Sequence, residues 1–182
     1  YLNFVHQSQT PIEDLQNRKF YAEKLGIKFD TRSKYEVLND LLEKGEIAFP
    51  TMPPNDVFSK TSKFFNNLKN PIYPLSNISN SKTVFCNESG ERVIYQTDRY
   101  GFRNKDSIWD EDKIDVAIVG DSLVHGACVD DEFVISTLLN KISGKNILNL
   151  GVQGYGPLLQ LAALKEYAYF KENNITYVAT GM

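Results

Sequence analysis

Two short segments of the sequence combine a serine with glycine-rich turns in a way that could support acyl transfer. Gly120-Asp121-Ser122 follows an apolar run, and a turn containing Gly151 and Gly154 follows the next such run. A serine beyond a strand and near a helix start can present its hydroxyl to a crevice and its own N–H to a developing oxyanion. A glycine turn can bring a second N–H to the same point, since no side chain blocks the approach. The pattern predicts half of an acyl-transfer site, with Ser122 as nucleophile and two oxyanion donors, the N–H of Ser122 and one N–H of the glycine-rich turn.

Other interpretations of the same segments stay open at this level. Gly-Asp-Ser alone is typical of a turn, and Gly154 and Gly156 could serve only strand-to-helix packing. A phosphate-binding loop is disfavoured, because the spacing Gly-x-x-Gly-x-Gly is not the dinucleotide fingerprint and no lysine follows as in a P-loop.

The elements that must position these residues follow from hydrophobic patterning. Apolar runs at 115–119, 147–150 and 175–179 predict three strands, and helical patterns at 133–142 and 157–172 lie between them. Alternating strands and helices predict right-handed βαβ units and a parallel sheet. Ligands of such sheets bind beyond the carboxyl ends of the strands, which is where the serine and the glycine turn lie.

Two helices are predicted near the start of the chain. The first opens at Pro11 and ends at Gly26. The second is opened by a capping box of Ser33 and Glu36 and ends at Gly45, where a left-handed residue is needed.

A proline-rich connector and a β-hairpin come next. Residues 49–74 contain five prolines among Asn and Ser and are predicted to form a connector. Residues 83–96 predict a hairpin around the turn Asn87-Glu88-Ser89-Gly90. We therefore divide the chain into a helical extension with its connector, 1–75, and an α/β domain, 76–182.

The sequence resembles the SGNH (GDSL-type) hydrolases in three separate motifs. The family's strand followed by Gly-Asp-Ser is matched at 120–122, and its second block is matched at 149–154, with Gly154 aligned to the oxyanion donor. Residues 97–104 are similar to the Thr-Asp-x-x-Gly-Phe-Arg-Asn lead-in of a bacterial subgroup. The resemblance covers about residues 80–179, and the motifs occur in the family's order.

The resemblance implies a fold and a set of site residues. The fold is α/β, a three-layer SGNH-type parallel sheet flanked by helices, truncated after the third strand and preceded by the helical extension and the hairpin. Ser122 is implied as the catalytic nucleophile, and Ser122 and Gly154 as the oxyanion hole. Supporting positions are implied for Gly120, Asp121, Asn149 and His125.

The family's remaining site residues have no counterpart in this sequence. It uses a further Asn donor and an Asp-x-x-His block, so the chain is expected to be a C-terminally incomplete member that is weakly active or inactive. His6 is expected to be exposed. His125 follows Ser122 by three residues and is expected to line or support the site and not to act as the base. The edge at 175–179 is expected to be unpaired, which favours marginal stability or aggregation.

The implied function is a serine esterase or acyl hydrolase. Its substrate would be a small-molecule or glycan ester, on envelope carbohydrate or lipid, and the acyl group could be transferred instead of hydrolysed. No metal or organic cofactor is implied, and membrane contact would require an N-terminal anchor outside the chain. An extracytoplasmic location is suggested by analogy. The alternative is a non-catalytic binding or envelope-assembly protein whose helical region before Asn80 is a docking surface.

Composition is that of an ordinary globular protein. Of 182 residues, 42% are hydrophobic and 24% are charged, which argues against disorder. A net charge of −3 gives no basic footprint for nucleic acid. Cys86 and Cys128 are too few and too far apart in the sequence for a disulfide framework or a metal site, and we predict two unpaired thiols.

Overall fold

The described residues form one mixed sheet and one parallel sheet, each of three strands. The computed structural model describes residues 11–54, 69, 74–88, 90–168 and 176–179, and only the backbone for 11–15 and 176–179. The strands are β1 (Ala48–Pro50), β2 (Lys82–Val84), β3 (Ile94–Gln96), β4 (Val116–Val119), β5 (Ile147–Asn149) and β6 (Thr176–Ala179). The helices are α1 (Pro11–Leu25), α2 (Lys34–Glu43), α3 (Ser122–His125), α4 (Ile135–Ser143) and α5 (Pro157–Ala163). Short 3₁₀ helices span Asp106–Asp110 and Asp131–Phe133, and a π-helical turn, Leu164–Ala168, continues α5.

Both predicted N-terminal helices are confirmed. The Ser33 hydroxyl accepts a hydrogen bond from the Glu36 N–H at 3.2 Å, and the Glu36 carboxylate accepts one from the Ser33 N–H at 2.7 Å. These two bonds form the predicted capping box at the start of α2. The residues that end the helices, Gly26 and Gly45, have φ angles of 67° and 79°.

The predicted hairpin is present, and it belongs to a larger sheet. β2 and β3 are antiparallel, with Thr83 opposite Tyr95, and β1 adds to β2 as a parallel strand. The prediction that 49–74 is only a connector was wrong at its first residues, because Phe49 and Pro50 lie in β1. Proline is compatible with this position, since β1 is an edge strand and needs no N–H on its outer side.

The parallel sheet is confirmed, with the order β5-β4-β6. β4, β5 and β6 lie within the runs predicted for them, and α4 lies between β4 and β5. α5 and its π-helical continuation fill the second predicted helix as far as Ala168. The end predicted for that helix, at 169–172, lies outside the described residues. The coarse α/β class is therefore correct.

β4 is buried on both faces. Ala117 and Val119 belong to a cluster with residues of β5, of the loop after it and of α5: Leu148, Leu150, Val152, Tyr155 and Ala163. Ile118 packs on the other side, with Ile147 and with Val124 of α3. The sheet thus anchors α3 and the loop after β5, the two segments that carry the predicted site.

Cys86 and Cys128 form a disulfide, so the prediction of two unpaired thiols was wrong. Their Cα atoms are 5.2 Å apart although 42 residues separate them along the chain. They meet because the hairpin packs on the turn that follows α3, where Ala127 contacts the buried cluster of Phe85, Val93 and Tyr95. Spacing in the sequence carries no information about this contact.

Candidate active site

Ser122 is the first residue of α3 and directly follows the loop at the end of β4. Asp121 precedes it as the helix cap, with its carboxylate accepting a hydrogen bond from the Leu123 N–H at 3.1 Å. Ser122 is half-buried, while Val124 and His125 point into the protein. Among the described residues, none accepts a hydrogen bond from the Ser122 N–H. Within the described part of the chain, the N–H of Ser122 therefore has no protein partner.

Gly154 lies in the exposed turn after β5, next to the Ser122 turn. The Val152 N–H donates to the Gly120 carbonyl at 3.2 Å, which joins the two turns close to the strand ends. Gly154 has a φ of 79°, a left-handed conformation that favours glycine. No acceptor for its N–H is recorded in the part of the chain that the structure describes. Both predicted oxyanion donors thus lie at the carboxyl edge of neighbouring strands, and neither N–H has an acceptor among the residues that can be described.

Gly151 allows the loop after β5 to touch α3. A Cβ atom at this position would lie 2.5 Å from Val124 Cγ1 and 2.7 Å from the His125 backbone nitrogen. Real Cβ atoms do not approach other atoms this closely, so a side chain here would push the two segments apart. The absence of a side chain at Gly151 therefore allows the nucleophile turn, which is α3 with the residues around Ser122, to lie close to the glycine turn at 151–154.

Asn149 supports both turns from within the core. This side chain is fully buried; its amide donates to the Val124 carbonyl at 2.7 Å and to the Ser136 hydroxyl at 3.3 Å. Its side-chain oxygen accepts a hydrogen bond from the Gly151 N–H at 2.9 Å. Asn149 therefore holds α3 and the start of the glycine turn together.

The lead-in segment 97–104 forms a hydrogen-bonded loop that binds β5. No pattern in the sequence predicted this structural role. Asp98 is completely buried and accepts four hydrogen bonds of 2.8 to 2.9 Å, from the N–H groups of Tyr100 and Phe102 and from the side chains of Asn104 and Trp109. Burial raises the pKa of the Asp98 carboxyl, against the lowering effect of these donors. The carboxylate organises the loop that carries Asn104.

Asn104 connects this loop to β5 through two hydrogen bonds. Its side-chain amide donates to the Asn149 carbonyl at 2.9 Å, and its side-chain oxygen accepts from the Asn149 N–H at 2.8 Å. The Thr-Asp-x-x-Gly-Phe-Arg-Asn pattern was the signal available for these residues, but no pattern in the sequence shows which backbone groups they bind.

Arg103 fixes the turn that follows α3. Its buried guanidinium donates to the carbonyls of Gly126 at 2.6 Å and Val129 at 2.9 Å and pairs with Asp131. The same group lies over the ring of Tyr95, 4.5 Å from its centroid, as a cation–π contact. Arg103 therefore ties the C-terminal end of the nucleophile turn to the hairpin, as the disulfide does.

His125 is buried with both ring nitrogens engaged. Nδ1 accepts a hydrogen bond from the Gln153 N–H at 3.1 Å, and Nε2 lies 2.8 Å from the Tyr95 hydroxyl. Burial, with a smaller contribution from the positive charge of Arg103, lowers the pKa of His125 to about 3. Neither nitrogen is free to take a proton from Ser122. The other histidine, His6, lies outside the described residues.

Three clefts of the described surface lie away from Ser122. These clefts, of about 510, 380 and 320 Å³, are lined respectively by the 28–32 loop with the hairpin turn, by β1 with residues 78–82, and by residues 103–111 with α4. None of the three includes Ser122 or Gly154 in its lining. Among the residues that can be described, no three His, Cys, Asp or Glu side chains cluster as a metal site would require. None of the helices described is both long and apolar enough to span a membrane.

Comparison with known proteins gives no relative for this chain: no family model, no curated protein and no solved structure matches it.

Proposed function

We propose that the chain is part of a serine esterase or acyl hydrolase with the SGNH three-layer fold. One observation carries the proposal. Ser122 and Gly154 lie on adjoining turns, joined by the Val152–Gly120 hydrogen bond, beyond the carboxyl ends of β4 and β5, and the described residues offer no acceptor for their N–H groups. This placement supports the proposal, because attack on an ester carbonyl needs oxyanion donors beside the nucleophile.

The reaction that we propose uses Ser122 and Gly154 of this chain and also needs a general base. The Ser122 oxygen would attack the carbonyl carbon, and the N–H groups of Ser122 and Gly154 would stabilise the oxyanion. The leaving alcohol would then depart to give an acyl-serine, which water would hydrolyse. A base must take the serine proton and return it to the alcohol. Both nitrogens of His125 are engaged, and the resemblance assigns this role to the histidine of the family's Asp-x-x-His block, which residues 1–182 do not contain.

The substrate class that we propose is an acyl ester on envelope carbohydrate or lipid. The disulfide between Cys86 and Cys128 supports an extracytoplasmic setting, because disulfides persist chiefly in oxidising compartments. Transfer of the acyl group to a sugar instead of water would use the same serine. Product analysis with an added sugar acceptor distinguishes the two outcomes.

The test is ester hydrolysis by the protein encoded by the whole reading frame that contains this chain. Ser122→Ala should abolish hydrolysis of p-nitrophenyl acetate and labelling by a fluorophosphonate probe. Ser107→Ala is the matched control, because Ser107 is an exposed serine on a 3₁₀ helix and should be dispensable. Unchanged activity in Ser122→Ala would refute the proposal.

A non-catalytic binding protein is the second candidate. It is favoured by the absence of Ser122 from the three clefts and by exposed apolar side chains on the N-terminal helices, among them Phe20, Tyr21, Leu25 and Tyr35. Absence of fluorophosphonate labelling in the folded whole protein would favour this candidate over the hydrolase.

A further inference from the structure

The buried side chain of His125 attaches the turn that carries Gly154 to α3, in addition to the contacts made by Asn149. Gln153 and Gly154 are exposed, yet the N–H of Gln153 donates to Nδ1 of His125 at 3.1 Å. His125 lies on the same helical turn as Ser122, and its own N–H donates to the Asp121 carbonyl at 3.0 Å. A single side chain therefore connects the nucleophile turn to the peptide group that precedes the predicted oxyanion donor.

The surroundings of His125 hold the ring in one orientation and one tautomer. The ring stacks on Phe85 with 4.7 Å between centroids and is 1% exposed. Because Nδ1 accepts from a backbone N–H, it must be unprotonated, so the ring proton lies on Nε2 and is donated to the Tyr95 hydroxyl. The low pKa of His125 keeps this neutral tautomer across the physiological range.

We propose that His125 is a positioning residue for the oxyanion hole, which it sets by fixing the Gln153–Gly154 turn relative to Ser122. This role rests on the proposed function. Oxyanion donors act when they lie about 2.7–3.1 Å from the developing charge, so the Gly154 N–H must be held to within a fraction of an ångström. A displacement of about 1 Å can reduce the rate about 100-fold.

Two substitutions separate the two hydrogen bonds of His125. In His125→Asn the side-chain oxygen can occupy the position of Nδ1 and still accept from the Gln153 N–H. In His125→Gln the amide reaches the position of Nε2 and Tyr95, and the acceptor for Gln153 is lost. Both variants remove the aromatic ring, so a purely structural effect of losing it should appear in both.

Hydrogen exchange of the Gln153 amide tests the attachment without any assay of activity. In the protein encoded by the whole reading frame, we expect this amide to be protected in the wild type and in His125→Asn and to exchange rapidly in His125→Gln. The amides of β4 and β5 report in the same experiment whether each variant is folded. Equal protection of Gln153 in folded His125→Gln overturns the proposal, whatever the hydrolytic activity.

Ester hydrolysis tests the catalytic consequence. We expect His125→Gln to lower kcat for p-nitrophenyl acetate about 100-fold with KM nearly unchanged, and His125→Asn to restore most of kcat. An equal loss of kcat in both variants, or a change confined to KM, overturns the positioning role. If the wild type shows no hydrolysis that depends on Ser122, the proposed function fails together with the catalytic role, and the exchange experiment alone decides whether His125 holds the turn.

Discussion

The polar atoms of Ser122 are placed by neighbouring side chains that take no part in the proposed chemistry. Asp121 caps α3, Asn149 binds the carbonyl of Val124, and His125 binds the following loop. Each of these groups is satisfied by protein partners and supports the segments that carry Ser122 and Gly154.

Gly151→Ala should weaken the protein through a steric clash. The new Cβ would meet Val124 Cγ1 at 2.5 Å and the His125 nitrogen at 2.7 Å, so α3 and the loop must separate. We expect a loss of about 1–3 kcal/mol in the free energy of unfolding, measured in urea. Gly156→Ala is the control: nothing lies within 4 Å of its Cβ, its φ is −91°, and the cost should stay below about 1 kcal/mol. Similar losses in both variants would contradict the close packing at Gly151.

Stability should fall as the pH is lowered from about 6.5 towards 3, partly because of His125. Its pKa of about 3 in the folded protein lies below the ordinary 6.5, so the unfolded chain binds the proton more readily in this interval. Each unit by which the pH falls in this interval therefore lowers the free energy of unfolding by up to about 1.4 kcal/mol. The Tyr95 hydroxyl, which faces the ring, does not titrate in this interval, since burial raises its pKa above the ordinary value.

Comparison with His125→Asn isolates this contribution. The raised pKa of Asp98 acts in the opposite direction, because the folded protein binds that proton more readily and gains stability as the pH falls. Because Asp98 is present in both proteins, its contribution cancels when their pH-dependent changes in unfolding free energy are subtracted. We expect the free energy of unfolding, measured with denaturant at pH 5 and 6.5, to change less between the two pH values in His125→Asn than in the wild type. An equal change in both proteins would refute the neutral, buried state of His125.

Among the elements, the loop built on Asp98 links the hairpin to β5. Its carboxylate accepts four hydrogen bonds, and an amide offers one oxygen in place of two. We expect Asp98→Asn to cost about 2 kcal/mol in the free energy of unfolding, because buried donors lose their acceptor. Asp106→Asn is the control, since Asp106 forms an exposed ion pair with Arg99 and should matter little. An unaffected Asp98→Asn protein would show that this network is not structural.

The disulfide joins the hairpin to the end of the nucleophile turn. Closing a loop between cysteines 42 residues apart is worth up to about 4 kcal/mol in the chain-entropy model. Replacing both Cys86 and Cys128 by Ser should lower the free energy of unfolding by a comparable amount and loosen the turn after α3. Thiol titration of the native protein provides the direct check: two reactive thiols without reductant would show that the bond does not form.

Periodicity and helix-end signals predicted the elements because those signals are local. The Ser33–Glu36 capping box, the three strands of the parallel sheet and the hairpin depend on residues close together in the sequence. The disulfide, β1 and the contacts of Arg103 with the carbonyls of Gly126 and Val129 join residues that are far apart, and no residue pattern encodes those distances. The same holds for His125, whose spacing to Ser122 suggested a neighbour although its nitrogens bind elsewhere.

For the whole molecule, the N-terminal part is joined to the rest by backbone and side-chain contacts. β1 pairs with β2, the Asp30 N–H donates to the Gly90 carbonyl at 2.7 Å, and Arg92 donates to the Arg32 carbonyl at 2.8 Å. Residues 28–32 and the hairpin turn also line the cleft of about 510 Å³. Removal of the first helices would therefore expose the hairpin on which the nucleophile turn is supported.

Residues 1–182 alone should hydrolyse p-nitrophenyl acetate barely above background. His125 has no nitrogen to offer, and a serine without its base retains only oxyanion stabilisation and binding, a loss on the order of 10⁴ to 10⁶ in kcat. The rate should be the same for Ser122→Ala. A rate typical of esterases that disappears in Ser122→Ala would mean that a base lies within this chain.

Asn104 also affects whether copies of the protein can associate through β5. β5 is at one end of the strand order, and an outer strand with open N–H and carbonyl groups can template the addition of another chain. Asn104 supplies from its side chain the two hydrogen bonds that a neighbouring strand would make with Asn149. A side chain thus occupies the place where polymerisation through β5 would begin, and the sheet is closed to growth at this residue.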